Sequence, residues 1–322
     1  MRKTDGAEKK IKIKELADVF GYEIIGDAEL TVSGIAYAEN AAEDMLGIVR
    51  KKKDLHTTKA KVVLTEPCLE LTDKTLLFPF ENLGIAAERI AELLKERGLC
   101  RRYEAPVEYS CRQEFPHVLF GDTVTIGRNT GIEPFTTIGN DVFIGENCSI
   151  GSNVRIGSGT VIGDGVTIRS GSRIGVEGFF TVEERGRHLY PGVGRTVIHA
   201  GVDIGFNTII QRGTFSDTVI GENSVLANLI DIGHDVIIGS ECKIISQTGI
   251  ASFSVIGDRV TIFGQCSINN DVTIGNDAVI KGKTRVIGNV PAGETVSGEF
   301  ARNHKKELRY QAALRKLVEK KG

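Results

Sequence analysis

Between Phe120 and Val290 an aliphatic residue returns at every sixth position. Ile126, Ile132, Ile138, Ile144, Ile150, Ile156, Ile162, Ile168 and Ile174 form an unbroken ladder. It resumes in phase at Ile198, Ile204 and Ile210, skips four extra residues, and runs from Ile220 through Leu226, Ile232 and Ile238 to Ile280 and Val286. A period of six fits neither a helical stripe nor strand alternation, and is a signature of parallel β-helices. The unit reads Ile-Gly-x-x-small-x, as in Ile144-Gly-Glu-Asn-Cys-Ser, so the aliphatic residue and the small residue four later are expected to point inward. Glycine after the aliphatic residue suits a corner with unusual dihedrals. About 28 hexads, three to a triangular coil, predict about nine coils and, with strands roughly 4.8 Å apart, a prism about 43 Å long.

The flanks lack the repeat. Residues 1–10 form a polar tail, and residues 11–103 form a separate small α/β unit. There Ile13–Phe20 predicts a short amphipathic helix, and Tyr22–Asp27 with Leu30–Ile35 a hairpin. Lys61–Thr65 and Thr75–Phe80 predict buried strands, and Leu83, Ala86, Ala87, Ile90, Leu93 and Leu94 place an amphipathic helix over Asn82–Arg97, closed by Gly98. The run Arg50-Lys-Lys-Lys53 reads as a solvated loop rather than a phosphate site. Within the repeat region, 104–299, the long irregular insertion Gly175–Arg195 preserves the phase, so it is expected to be a loop thrown outward. Its aromatic pair Phe179-Phe180 suggests a role in binding, since loops of this length are usually functional or disordered. Residues 300–322 predict a basic C-terminal helix whose Tyr310, Ala313, Leu314, Leu317 and Val318 share one face.

The net charge of −2 over 322 residues gives no whole-chain argument for nucleic-acid binding. No stretch has the length of a membrane span and the N-terminus is too polar for a signal peptide, so a cytoplasmic location is expected. Cys148, Cys242 and Cys266 fall on the small inward position and are expected to behave as small hydrophobes. The absence of a CxxC pair argues against a metal or disulfide role.

One of the six histidines stands apart. His234 follows the inward Ile232 by two, which puts it on the outside of a stiff wall. Stacking by 18 residues places Ser252 and then Asn270 above it, and allowing for the four extra residues places Arg212 one coil below. A histidine among small polar groups and an arginine suits proton transfer near neutral pH.

In three blocks of the same order the chain resembles the acyl-carrier-protein-dependent UDP-3-O-acylglucosamine N-acyltransferases of lipid A synthesis. The blocks are Ile11-Lys-Ile-Lys-Glu-Leu-Ala-Asp with Gly26-Asp-Ala-Glu-Leu-Thr-Val-Ser-Gly-Ile-Ala; Gly175-Val-Glu-Gly-Phe with Ile210-Gln-Arg-Gly-Thr-Phe-Ser-Asp; and Ser297-Gly with Leu308-Arg-Tyr-Gln-Ala-Ala-Leu314. The resemblance implies a mainly β fold: a left-handed parallel β-helix of hexapeptide repeats, with a small N-terminal α/β nucleotide-sugar-binding domain and a C-terminal α-helix. It implies a homotrimer with sites between subunits. No bound cofactor is expected; the cosubstrate is an acyl thioester of acyl carrier protein.

His234 is then the general base that deprotonates the sugar amine as it attacks the thioester. A backbone donor must stabilise the oxyanion, with Gly249 the candidate, and Asp235 or Asn228 would orient the base. Arg212, Phe179, Phe180, Asn270, Asp271 and Ser252 are expected on the acceptor, and Lys283, Arg285, Arg309 and Arg315 on the donor. The chain departs from the family at Asp271, where a second histidine is found, at Ala227 in place of an aspartate, and at Ile48 and Asp54 in place of uracil-stacking aromatics. These departures point to another nucleotide-linked amino sugar. Lys281-Gly-Lys-Thr-Arg285, where relatives are apolar near the acyl tail, keeps open a short acyl-CoA donor; a non-catalytic trimeric scaffold is the remaining alternative. Zinc chemistry is disfavoured because no second histidine is near His234 in sequence, and nucleotidyl transfer because no Gly-rich phosphate loop precedes the repeats.

Overall fold

The computed structural model describes residues 10–67, 72–99, 110–178, 181–182, 188–189, 192–298 and 303–319. Its body is a parallel β-helix in which strands mostly of two residues pair only with the strand one coil away. Stacking is in strict register. Ile126, Ile144, Ile162, Ile198, Ile220, Ile238, Ile256 and Ile274 line one wall from inside, and equivalent columns line the other two. The three walls carry eight, nine and ten strands, the last including an antiparallel starter, Ser110–Arg112. The aliphatic columns are almost completely buried and form one continuous core.

Two details of the repeat differ from expectation. The glycine after the aliphatic residue is needed for space rather than dihedral freedom: a Cβ on Gly139 would come within 2.6 Å of the Ser158 nitrogen one coil above. The positive φ falls two residues later, as on Asp141 (55°), Asn147 (57°) and Asn153 (54°), residue types that tolerate the left-handed region because a short polar side chain can hydrogen-bond locally; larger residues such as Phe135 (66°) and Leu229 (59°) take the same conformation at other corners. The small inward position also does more than fill space. Thr130, Ser224, Cys148, Cys242 and Cys266 all donate a side-chain hydrogen to a backbone carbonyl 15 residues on. The three cysteines are buried and free, and burial pushes their thiols up in pKa.

The N-terminal unit runs β1 (Ile11–Lys12), α1 (Ile13–Phe20), β2 (Glu23–Ile25), β3 (Thr31–Val32), β4 (Ile35–Tyr37), β5 (Leu46–Ile48), α2 (Lys52–Thr57), β6 (Val62–Leu64), β7 (Thr75–Phe78) and α3 (Leu83–Glu96). The predicted helices and strands form, with Asn82 capping α3 through Gly84 N–H. The predicted hairpin does not. β2 pairs instead with β7 as an edge strand of the sheet, and β3 with β1. The resulting sheet has the order β2-β7-β6-β5-β4 and is parallel except at β2.

The unit is fastened to the prism. Phe215 of the prism is part of its hydrophobic cluster, Tyr37 meets Phe215 and Phe253 edge-on at 5.4 Å each, and Tyr37 N–H donates to Ser216 Oγ at 3.2 Å. The charge run at 50–53 is therefore not simply a solvated loop. Arg50 stacks over Phe253 with its guanidinium carbon 3.8 Å from the ring centroid and pairs with Glu39 and Asp271. Lys51 reaches the same Asp271 at 2.6 Å and precedes α2.

The insertion leaves the coils intact, since Val161–Ile162 pairs with Val197–Ile198, and Arg173–Val176 with Ile209–Gln211. Thr181–Val182 and His188–Leu189 form a short antiparallel ribbon within it. The C-terminal helix, α4 (His304–Glu319), keeps Tyr310, Ala313 and Leu314 exposed. Within one chain these three residues are thus not buried against the prism; the side chains of Leu317 and Val318 lie outside the described ones.

Candidate active site

His234 leaves the strand Asp231–Ile232 at a corner, facing away from the core, but it is not on open surface: only 5% of it is exposed. The insertion covers it, so closely that a Cβ on Gly178 would lie 2.9 Å from the imidazole Cδ2. Phe253, at the corner one coil above, meets the ring edge-on at 5.0 Å.

The four extra residues after Ile210 supply the remaining contacts. They let the chain bulge over the next corner and aim two backbone amides, Thr214 N–H (3.0 Å) and Ser216 N–H (3.1 Å), at the two carboxylate oxygens of Asp235. Asp235 sits at the positive-φ corner position (58°), where its own N–H donates to Thr218 Oγ1. So held, its Oδ2 lies 2.8 Å from His234 Nδ1, with the Thr214 hydroxyl 3.1 Å from the same nitrogen. A carboxylate can only accept here, which places the imidazole proton on Nδ1 and leaves Nε2 as the acceptor.

The histidine borders a cleft of about 280 Å³ lined also by Gln211, Asp231, Gly249, Ser252, Ser267 and Asn270. Ser252 and Asn270 are thus brought to His234, as expected. Arg212 lies in register one coil below, but its buried guanidinium donates to the Gly194 carbonyl (3.1 and 2.8 Å) and pins the end of the insertion; Gln211 faces the cleft in its place. Gly249 lines the cleft, and a Cβ there would meet nothing within 4 Å. Its N–H, however, is donated to the Cys266 carbonyl at 3.0 Å, so it is not available to an oxyanion. The Ser252 N–H has no hydrogen-bond partner among the described residues.

Asn228 is at a different corner, accepting from Phe206 N–H at 2.9 Å and stitching coils together, so of the two candidates only Asp235 touches the histidine. Asp271 is engaged by Arg50 and Lys51. Lys283 and Arg285 are exposed near the last coils, and Arg309 and Arg315 on α4. Phe179 and Phe180 lie outside the described residues.

Several neighbours escaped the sequence reading. Asp231 is the outward residue three before His234, and desolvation in the cleft raises its carboxyl above the ordinary range, with the Gln211 amide opposing. Thr214 and Ser216 were signalled only by the four-residue slip in the ladder, and Phe253 by an aromatic at a position usually polar.

The fold and the site define a hexapeptide-repeat transferase, a left-handed parallel β-helix with a histidine–carboxylate pair on its flank. The model of the bacterial transferase hexapeptide (six repeats) matches residues 141–175. Among solved structures, the UDP-N-acetylglucosamine acyltransferase of Bacteroides fragilis is 26% identical with a TM-score of 0.51 over 61% of this chain and 76% of that one. That of Francisella novicida, 24% identical with a TM-score of 0.53 over 61% and 72%, shares the fold.

Among curated proteins, the UDP-3-O-acylglucosamine N-acyltransferase of Azorhizobium caulinodans is 49% identical over 47% of this chain and 43% of its own length. The chain thus spans less than half of that relative. UDP-3-O-acylglucosamine N-acyltransferase 1 of Francisella tularensis is 33% identical over 95% of this chain and 94% of its own. The chain belongs to the UDP-3-O-acylglucosamine N-acyltransferase family.

Proposed function

We propose that this protein transfers an acyl group from the thioester of an acyl carrier protein to the amine of a nucleotide-linked amino sugar. The observation that carries this reading is the His234–Asp235 pair, its carboxylate fixed by the Thr214 and Ser216 amides and its imidazole bordering a cleft. His234 Nε2 takes a proton from the attacking amine and returns it to the departing thiolate. Asp235 holds the ring and stabilises the imidazolium. The Ser252 amide, one coil above, is the donor we assign to the oxyanion in place of Gly249. The unit at 11–103 takes the nucleotide part of the acceptor, and Asn270, Phe179 and Phe180 are assigned to the sugar.

The protein works as a homotrimer. One wall carries outward Phe143, Val161, Val197, Val219, Ile237 and Val255 in register over consecutive coils, of which Val219 and Ile237 border a pocket shared with Ile35 and Ala36 of the N-terminal unit, whereas the wall bearing Asp231 has arginines, threonine and serine at many equivalent positions. Such an apolar stripe suits closed cyclic assembly, which would also complete a cleft open on one side. Among the described residues no helix is long and apolar enough to cross a membrane, and we place the reaction in the cytoplasm. Incubation with a panel of amino sugar nucleotides and acyl donors tests the reading by the mass of an amide product; no amide with any pair overturns it.

The carrier protein is met by α4, whose Lys305, Lys306, Arg309, Arg315 and Lys316 would attract an acidic partner over long range. A short acyl-CoA is the second reading, favoured by Lys281, whose ammonium sits 5.0 Å over the exposed Phe263 ring, with Lys283 and Arg285 nearby in sequence. Deleting 303–322 separates the two: selective loss with the carrier-bound donor supports docking on α4, and equal activity with both donors removes it.

A further inference from the structure

The cleft beside His234 is electrostatically one-sided. Gln211, Gly249, Ser252, Ser267 and Asn270 are neutral, and Asp231 is the one carboxylate among its lining residues. No lysine, arginine or histidine among the described residues lies within ion-pair distance of Asp231; its partner is the Gln211 amide, at a long 3.5 Å. The neighbouring carboxylate, Asp235, is by contrast fully engaged by two amides and the imidazole. Asp231 is held outward on a two-residue strand whose flanking Ile232 is locked in the core, so the carboxylate has a fixed origin on the cleft wall.

A solvent-reaching carboxylate on the wall of the cleft, without a counter-charge and next to a base and to a small space, is a receptor for a cation. We propose that Asp231 recognises the acceptor as a primary ammonium ion and thereby selects amine over hydroxyl acceptors. This rests on the acyl-transfer reading and names what that reading leaves open, how the cleft tells nitrogen from oxygen.

The chemistry needs two proton transfers from nitrogen. An aminosugar reaches the site as R–NH3+, with no lone pair for attack. Paired with Asp231, it gives up one proton through the carboxylate to solvent. The freed amine bonds to the thioester carbon, and His234 Nε2 takes the second proton. The C–S bond then breaks and that proton goes to the thiolate, so that ammonium and thioester yield amide, thiol and one released proton. A hydroxyl acceptor has one proton to lose and no charge for Asp231 to hold.

The test needs no donor. Binding of UDP-glucosamine and of UDP-glucose, which differ by ammonium against hydroxyl at one carbon, is measured by calorimetry on the full-length wild type, Asp231→Asn and Asp231→Glu. The wild type is expected to prefer UDP-glucosamine by on the order of tenfold to a hundredfold, the range of a hydrogen bond to a charged group. Asp231→Asn, nearly isosteric and at a position that still reaches solvent, should bind the two alike, with UDP-glucose affinity unchanged, while Asp231→Glu keeps part of the preference. A wild type that binds the two alike or binds neither, or an Asp231→Asn protein that keeps the preference, overturns the proposal. Failure of the acyl-transfer reading looks different: no amide forms, whatever the ammonium preference.

Discussion

The corners Gly139-Asn140-Asp141-Val142 and Gly233-His234-Asp235-Val236 have the same backbone, with φ of 55° at Asp141 and 58° at Asp235. At the first, every polar group serves the neighbouring coil: Asn140 accepts from Asp122 N–H at 2.9 Å, and Asp141 from the Thr123 hydroxyl. At the second, a four-residue bulge one coil below replaces that stitching with two amides on Asp235, and the carboxylate turns to the histidine. The corner offers a fixed pair of side-chain directions. What covers it decides whether the pair is structural or chemical.

The largest expected effect tests that contrast directly. His234→Ala should lower turnover by on the order of 10²-fold or more in the amide assay, whereas Asn140→Ala should leave it unchanged; an active His234→Ala protein would erase the difference between the corners. Asp235→Ala leaves two buried amides unpartnered and should cost about 2–4 kcal/mol in denaturant unfolding, with activity lost as well. Asp141→Ala, at an exposed corner, should cost about 1 kcal/mol, chiefly from alanine's lower tolerance of the positive φ.

A pair of glycines sharpens the distinction. Gly139→Ala forces a methyl into the Ser158 backbone and should destabilise by about 1–3 kcal/mol, while Gly249→Ala, with open space at its Cβ, should keep the melting temperature and weaken acceptor binding. Equal melting temperatures for the two would refute the spatial account of the repeat glycines. Arg50→Ala removes a guanidinium from between Tyr37 and Phe253 and should cost roughly 1–2 kcal/mol, read as earlier proteolysis of the N-terminal unit.

How far the sequence carried the reading follows from what kind of information each feature needs. The aliphatic ladder specifies the coils because each inward residue is buried against its equivalents one coil above and below, 18 residues away in a regular repeat, and phase alone predicts that Ser252 and Asn270 stand above His234. Side-chain direction is another matter. The phase puts Arg212 in the right coil, yet its guanidinium turns to Gly194, a partner contributed by the insertion. The hairpin expected at 22–35 does not form because β2 and β3 pair with strands distant in sequence, and the partners of Arg50 are invisible locally because Phe253 and Asp271 lie more than 200 residues away. Asp235 was a candidate for orienting the base, but the amides that hold it belong to a bulge visible only as a slip in the count.

The strand bearing Asp231 is interior to its wall, with three strands stacked on one side and six on the other. A ladder of nearest-neighbour coils opens from its ends, as a zipper does, and the free energy of opening rises with every rung that must separate. Breathing of the terminal coils therefore dies away before it reaches His234. Amide protons of the coil that carries His234 should be among the slowest in the molecule to exchange with solvent, and a side chain so insulated keeps its direction even when the ends of the prism fray.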